Sequence, residues 1–343
     1  MGIYQGIGIA STASYSPEKI IRVEDIKKEY GFTDEYCKRI GIEQLHAAED
    51  EYPTDMAVKA AKQAIIKADI DPEEIDLVLY SYGAFPEYFV WPEFAKIQYE
   101  LGAKNATALR IDQGCNAQII SLEYACAKIK ANPHINNVLI VSADVFIEPI
   151  INRWTNADAC FFGDGASAAI VKRGVRDNRI VGIRNMTDGE LNYLWKIPVG
   201  GTKEPLESKH IGENLFRIDM NKLAMEYLKD DEKRKAVAKR MVNTNLQTLN
   251  KLLRKVNKKK NQIDKMIVYN VGKYIIENIC QAMEIEINQT SWNITKKYAH
   301  MGPVDIFFNL DKMLQKGQIN CGELVILFSA GTGFSTASAA IEF

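Results

Sequence analysis

The sequence predicts an α/β protein assembled from two related halves, and three observations carry that prediction. Short apolar, β-branched runs alternate with stretches whose apolar residues recur at helical spacing, the pattern of βαβ units whose sheets are covered on both faces. The chain also echoes itself: Ile75-Asp76, an apolar run and Gly83 resemble Ile263-Asp264, an apolar run and Gly272, and Asp264 follows Asp76 by 188 positions. A second pair of apolar runs ends in Ser142-Ala143 and Ser329-Ala330, and here the offset is 187. Two nearly equal offsets from independent residues indicate a duplication, with residues 1–175 as one half and 176–343 as the other.

The elements follow in chain order. Met56 to Ala68 sets its apolar residues on one helical face, and Ile75 to Gly83 (IDLVLYSYG) reads as a buried strand. Gln118 to Lys130 is again helical, Asn137 to Val145 (NVLIVSADV) is a strand, and Phe162-Gly-Asp-Gly-Ala-Ser167 is a glycine turn ahead of another apolar strand. Thr202 to Arg240 is a long polar insertion that overlaps an amphipathic stretch from Lys233 to Lys260. Lys265 to Gly272 (KMIVYNVG) and Glu323 to Gly331 (ELVILFSAG) complete the strand set.

Composition narrows the function. With 343 residues, 47% hydrophobic and 25% charged, the chain has the make-up of a soluble globular protein and no apolar run long enough to cross a bilayer. Its start lacks a basic region leading into an apolar one, so a cytoplasmic location is expected. A net charge of -1 from 43 basic and 44 acidic side chains removes a global electrostatic case for nucleic acid. The six cysteines show no CxxC and no histidine at ligand spacing, which indicates neither a metal site nor a disulfide framework; most read as buried thiols.

One cysteine differs from the rest. Cys115 lies in Arg110-Ile-Asp-Gln-Gly-Cys-Asn-Ala-Gln118, after a short apolar strand and at the head of a helical pattern, where the helix dipole favours a nucleophilic thiolate. The plainer reading is a buried structural thiol. The duplication adds an argument, because position 302 lies 187 beyond Cys115, inside Tyr298-Ala-His-Met-Gly-Pro303. Cys115 and His300 are thus predicted at equivalent strand-to-helix turns, facing each other between the halves. Of the four histidines, His46, His134 and His210 sit in polar or turn contexts and read as solvated. His300 precedes a Gly-Pro turn, and Asp305 follows where a carboxylate can orient an imidazole; a capped histidine and a helix-terminal charge are the plainer alternatives. Gly331-Thr-Gly-Phe-Ser335 is a second glycine turn, able to present backbone N–H groups to an oxyanion.

These residues belong to a resemblance that runs nearly end to end. Arg39-Ile-Gly-Ile42, Pro86-Glu-Tyr88 leading to Gln98-Tyr-Glu-Leu-Gly102, the Cys115 turn, Val141-Ser-Ala-Asp144, Phe162-Gly-Asp-Gly-Ala166 and Gly331-Thr-Gly-Phe-Ser-Thr-Ala-Ser338 resemble the β-ketoacyl-acyl-carrier-protein synthase III family. The resemblance implies a five-layer αβαβα thiolase fold, a homodimer, and acyl-CoA or acyl carrier protein as acyl donor, with no permanently bound cofactor. Two positions depart from it. The family's catalytic histidine, in a Pro-His-Gln-Ala-Asn setting, aligns with Asn270, and its catalytic asparagine, in Gly-Asn-Thr-Ser, aligns with His300. In the family both side chains donate hydrogen bonds to the thioester oxygen of a malonyl unit as it loses carbon dioxide. Here His300 and Asp305 look like the base and orienter of a Cys-His-Asp triad, with Asn270 hydrogen-bonding substrate.

The other implied roles follow residue by residue. The oxyanion hole is implied to be the backbone N–H groups of Cys115 and Thr332. Arg39 matches a position that contacts the CoA adenine, Tyr36 stands in for a nearby stacking aromatic, and the second arginine of that clamp aligns with Asn156, with Arg153 close by. Lys251 to Lys260, with Lys273 beyond, lies where the family docks its carrier protein, or else is a solvated helix face. Residues 202–240 are expected to cover the acyl pocket. The expected activity is transfer of an acyl group through Cys115 to a small-molecule hydroxyl or amine in secondary metabolism. Decarboxylative Claisen condensation and a non-catalytic partner subunit are the alternatives.

Overall fold

The computed structural model describes residues 4–148, 150–211, 220–228, 230–331 and 334–343. Its strands are β1 (Ile7–Tyr15), β2 (Ile20–Arg22), β3 (Gln44–His46), β4 (Leu77–Ser81), β5 (Thr107–Arg110), β6 (Asn137–Asp144), β7 (Gly165–Arg173), β8 (Arg179–Thr187), β9 (Lys265–Val268), β10 (Leu324–Gly331) and β11 (Ser335–Glu342). Its helices are α1 (Val23–Ile26), α2 (Asp34–Ile40), α3 (Pro53–Ala68), α4 (Glu93–Leu101), α5 (Ala117–Ala131), α6 (Ser208–Ile211), α7 (Met220–Tyr227), α8 (Asp231–Lys255), α9 (Lys273–Met283), α10 (Trp292–Tyr298) and α11 (Asp305–Gln315). The first long helix starts three residues before its apolar pattern does, because Pro53 is preorganised for the first helical turn. The basic helix α8 ends at Lys255, and Asn257 then turns the chain at φ 55.

The main sheet runs β5-β4-β6-β7-β1-β8-β11-β10-β9. It is one strand order written twice in mirror image, β5-β4-β6-β7-β1 and then β8-β11-β10-β9, with an isolated Met266–Thr290 bridge where the second half's fifth strand belongs. β1 and β8 join the two through the pairing of Gly8 with Arg179. Local detail repeats as well. Leu77 pairs with Val138 between parallel β4 and β6, as Lys265 pairs with Val325 between parallel β9 and β10. Asp76 accepts the N–H groups of Asn136 and Asn137, as Asp264 accepts that of Leu324. The echo in the sequence is therefore a repeat of topology and capping.

Strand side chains alternate between faces, which sorts the core into layers. Leu77, Leu79, Val138 and Ile140 point towards α5 and α11, while Val78, Tyr80, Leu139 and Val141 point towards α3 and α4. In the second half Ile267, Val325 and Leu327 meet α5 and α11, and Met266, Val268, Ile326 and Phe328 pack under α8 and α9. The layers are helix, sheet, helix, sheet, helix, the αβαβα arrangement. Burial on both faces is why the strand segments read as unbroken apolar runs. Among the described residues no helix is long and apolar enough to cross a membrane.

Candidate active site

α5 and α11 begin side by side. Each follows a short 3-10 turn, Gly114–Asn116 for α5 and Gly302–Val304 for α11, at the positions the repeat equates. Gln118 ties the two starts together: its Oε1 accepts Phe307 N–H at 2.9 Å and its Nε2 donates to Ser167 Oγ at 2.7 Å, which in turn donates to Val304 O. Gly114 sits at φ 51, where glycine bends the chain without the penalty a side chain would carry. Beyond it, Ser329 Oγ donates to Cys115 O at 2.9 Å, and Asn116 Nδ2 donates to Ser335 O at 2.7 Å. The Cys115 turn is thus pinned against β10 and β11.

Across from it stands His300. Its backbone N–H donates to Phe161 O at 2.8 Å and its carbonyl accepts Gly163 N–H at 2.9 Å, so the Phe162-Gly-Asp-Gly turn sets the height of the ring. Cys115 Sγ lies 3.1 Å from His300 Nε2, and His300 Nδ1 lies 2.5 Å from Asp305 Oδ2. Asp305 is wholly buried and also accepts the N–H groups of Asn270 at 2.7 Å and Met301 at 2.8 Å, which fixes the carboxylate. Burial acts to lower the His300 pKa, but the Asp305 carboxylate and then the charge of Cys115 outweigh it, holding the imidazole well above its ordinary value. A thiol, imidazole and carboxylate joined in this way are suited to a thiolate–imidazolium pair.

In front of Cys115 the backbone is kept clear. Its N–H, second in the turn, has no acceptor within the helix that follows. A Cβ on Gly331 would stand 3.0 Å from that nitrogen, so glycine there leaves room for an oxygen to approach. Thr332, the other expected oxyanion donor, falls outside the described residues. A cavity of about 200 Å³ extends from Cys115 and His300, walled by Phe146, Cys160 and Phe162 from the β6–β7 link, Leu191 and Trp195 beyond β8, Met241 on α8, and Tyr269. Burial pushes the Cys160 thiol up to about 12, which leaves Cys115 as the reactive candidate of the two. Beside the site, burial pushes Asp144 up to about 8 against the pull of the Ala84 and Gly83 N–H groups and His300.

Several expectations need correction. The Asn270 amide does not reach the cavity: it is wholly buried, with Nδ2 donating to Ala299 O at 2.5 Å and Oδ1 accepting from Thr295 Oγ1 and Asn309 Nδ2, both at 2.7 Å. It therefore holds the frame around His300 and Asp305 instead of contacting substrate. Arg153 is not free for CoA either, because it makes a two-pronged pair with buried Asp164, both contacts at 2.7 Å. The cover over the cavity comes from Leu191 and Trp195 on one side and Met241, Thr244 and Asn245 on the other, flanking 202–240; the described part of that stretch does not line it. His210 is buried against Glu207 N–H, and His46 is half-buried and stacked on Tyr298, so neither is solvated; His134 is exposed. Cys126, Cys160 and Cys280 are buried thiols, whereas Cys37 and Cys115 are intermediate and Cys321 exposed.

Arg39 is exposed and lies over the rings of Tyr36 and Tyr274 at 5.3 and 4.9 Å, a small aromatic platform on the surface. In the basic run, Lys258 and Lys260 pair with Glu342 and Glu284, while Lys251, Arg254 and Lys255 are exposed on α8. Among the described residues no cluster of His, Cys, Asp or Glu could hold a metal ion. Gln118, Asn116, Thr295 and Asn309 support the site without having stood out in the sequence. Their common signal is a polar residue within an otherwise apolar helix or turn.

Comparison with known proteins places this geometry in a family. Residues 110–189 match the model of 3-oxoacyl-[acyl-carrier-protein (ACP)] synthase III, and residues 253–343 match that of its C-terminal part. The beta-ketoacyl-[acyl-carrier-protein] synthase III of Sulfurovum sp. (strain NBC37-1) is 31% identical over 97% of this chain and 94% of its own. That of Campylobacter fetus subsp. fetus (strain 82-40) is 31% identical over 98% of each. Two solved structures share the fold. ChlB3, described as an acyltransferase, has a TM-score of 0.88 at 22% identity, covering 98% of this chain and 97% of that one. The 3-oxoacyl-[acyl-carrier-protein] synthase III from Aquifex aeolicus VF5 has a TM-score of 0.81 at 23% identity, covering 98% and 100%. With its two αβ halves meeting at Cys115 and His300, the chain belongs to the 3-oxoacyl-[acyl-carrier-protein] synthase III family and has the thiolase fold.

Proposed function

We propose that the protein is an acyltransferase in which Cys115 carries the acyl group as a thioester and His300 activates a small-molecule acceptor. The observation that supports this reading is the linked chain Cys115–His300–Asp305, with the neighbouring Asn270 amide turned into the protein. In the family reaction implied by the resemblance, histidine and asparagine side chains both grip the thioester oxygen of a decarboxylating unit. Here the asparagine donor is spent on Ala299 O, and the histidine is already oriented as a base.

The Cys115 thiolate attacks the donor's acyl carbon and forms the Sγ–C bond, while the Cys115 N–H stabilises the oxyanion. Collapse breaks the donor C–S bond, and the departing thiolate of CoA or acyl carrier protein takes a proton from His300. Acylation also removes the charge on Cys115, one of the causes holding the His300 pKa up, so the imidazole more readily stands neutral and free to take a proton in the next step. The acceptor's X–H then gives its proton to His300 Nε2 as X attacks the acyl carbon. Cys115 leaves as thiolate beside the restored imidazolium.

The name of the curated relatives favours acyl carrier protein as donor, and the resemblance adds acyl-CoA, with Arg39 and Tyr36 as the candidate contacts for CoA. Their decarboxylative condensation is the competing reading. A homodimer is part of the proposal, and exposed Tyr88, Phe89 and Val90 in the loop leaving β4 offer apolar surface for it. The changed pair at positions 270 and 300 favours secondary metabolism over initiation of fatty-acid synthesis. The test is intact mass after incubation with a panel of acyl-CoAs including malonyl-CoA, with Cys115→Ala as control. A stable malonyl or other acyl adduct on Cys115 without loss of carbon dioxide is expected. Decarboxylation of the malonyl donor, or a β-keto product, would overturn the reading in favour of condensation.

A further inference from the structure

The cavity in front of Cys115 is walled by rings. Phe146 and Phe162 have centroids 4.7 Å apart, Phe162 lies 5.6 Å from the His300 imidazole, and Tyr269 lies 6.3 Å from it, with the planes inclined at 37°, 51° and 74°. Trp195 packs against the Phe146 and Phe162 cluster and lines the same space. Rings at such angles offer edges as well as faces, the two surfaces that another aromatic ring pairs with. Size sets a second limit. An apolar cavity of about 150 Å³ is enough to hold benzene. At about 200 Å³ this one takes a single six-membered ring with a small substituent, and not a long alkyl chain. A ring also has no internal rotations to freeze, unlike a chain of the same carbon count. Charge sets the third. Among the described residues no lysine or arginine lines the cavity, the carboxylate that does so, Asp188, is held by Arg240 Nη2 at 2.8 Å, and the His300 imidazole is committed to Asp305. A negative group on the acyl moiety would meet apolar walls and a like charge, with no free cation to offset its loss of water.

We infer that the acyl group carried on Cys115 is an uncharged aromatic one of benzoyl size, its carbonyl at the Cys115 N–H and its ring among Phe146, Phe162 and Trp195. This deepens the acyl-transfer reading above and rests on it. Loading forms the Sγ–C bond and breaks the donor C–S bond, and the His300 proton goes to the departing thiolate. The rings of the wall then select the acyl group by shape and charge, whatever carrier delivers it.

The experiment times acylation of Cys115 in the full chain by intact mass, with Cys115→Ala as the control for modification elsewhere. The donors are N-acetylcysteamine thioesters of benzoate, cyclohexanecarboxylate, hexanoate and dodecanoate, together with 4-nitrobenzoate and 4-carboxybenzoate, a pair of equal shape that differs in charge. Each rate is divided by that of the same thioester with free N-acetylcysteine, which removes differences in the electrophilicity of the carbonyl. The corrected rate for benzoyl is expected to exceed those for cyclohexanecarbonyl and hexanoyl by about 3- to 10-fold. It should exceed that for dodecanoyl by about 100-fold, as should 4-nitrobenzoyl that for 4-carboxybenzoyl. A corrected hexanoyl or cyclohexanecarbonyl rate equal to or above that of benzoyl overturns the inference and leaves the acyl-transfer reading standing. Dodecanoyl keeping pace with benzoyl, or 4-carboxybenzoyl with 4-nitrobenzoyl, does the same. No adduct on Cys115 from any donor sinks the underlying reading instead.

Discussion

Replacing Asn270 by alanine should cost stability, because its amide supports the protein and not the substrate. Three groups now use that amide: Ala299 O, Thr295 Oγ1 and Asn309 Nδ2. Two of them have other partners, Thr295 with Ser291 O at 3.3 Å and Asn309 with Val268 O at 3.1 Å. The Ala299 carbonyl loses the amide that anchors it. Ala299 itself lies at φ 57 and ψ -164, a backbone region that costs a non-glycine residue about 1–3 kcal/mol and persists only when its surroundings hold it there. An orphaned buried acceptor costs about 1–3 kcal/mol, and the lost side-chain volume adds about 1 kcal/mol, for a total of about 2–4 kcal/mol. Unfolding entropy of about 2.1 cal/mol/K per residue over 343 residues is about 0.7 kcal/mol/K, so the midpoint should fall by about 3–6 °C. Calorimetry measures this, and acylation of Cys115 followed by mass should slow because the loosened Ala299–His300 segment carries the base. An unchanged melting temperature combined with lost turnover would refute the reasoning, since that is the pattern of a group that touches only substrate.

Three further predictions separate roles in the same way. Arg153→Ala leaves Asp164 buried and unpaired, a loss of about 3–5 kcal/mol, so melting should drop by about 4–7 °C while the KM for acyl-CoA stays within about twofold; Arg39→Ala should do the reverse, and a raised KM in the Arg153 variant with normal melting would reverse the assignment. The raised His300 pKa makes a stabilising contribution that is fully present below the free imidazole value and is lost as pH rises through the folded value. Wild type should therefore lose melting temperature between neutral and alkaline pH more steeply than His300→Gln does, and parallel profiles would remove the imidazolium from the resting site. Gly331→Ala places a methyl group 3.0 Å from Cys115 N, so acylation should fall by about 100-fold with little change in melting; full acylation would show that this N–H is not the oxyanion donor.

Much of the frame was legible because it is written twice. The matching offsets located the Cys115 turn and the turn after His300 as equivalents, and capping by Asp76 and Asp264 is the physical content of that match. What stayed hidden depends on where a strand stops. β9 ends at Val268, so the alternation that would assign Tyr269 and Asn270 to opposite faces ends with it. Sequence spacing therefore could not say which of the two neighbours enters the cavity. The Arg153–Asp164 pair was equally silent, since both residues lie on the long β6–β7 connection and meet only once it has folded back. Cover from both sides of 202–240 was missed for a related reason: polarity marks an exposed insertion but not the apolar residues at its two roots.

The mirrored sheet also bears on how such a site is maintained. α5 and α11 share one central layer, so each half of the chain uses the other's helix as the floor of its own core. A cut in the 174–178 connection between β7 and β8 would give two fragments, each with one strand system and one catalytic turn, and each exposing the apolar face its partner normally covers. Such fragments are obligate companions: the thiol sits on one, the imidazole and its carboxylate on the other. The division gives each turn a single task, so a substitution at one can retune the chemistry while its counterpart keeps its own role.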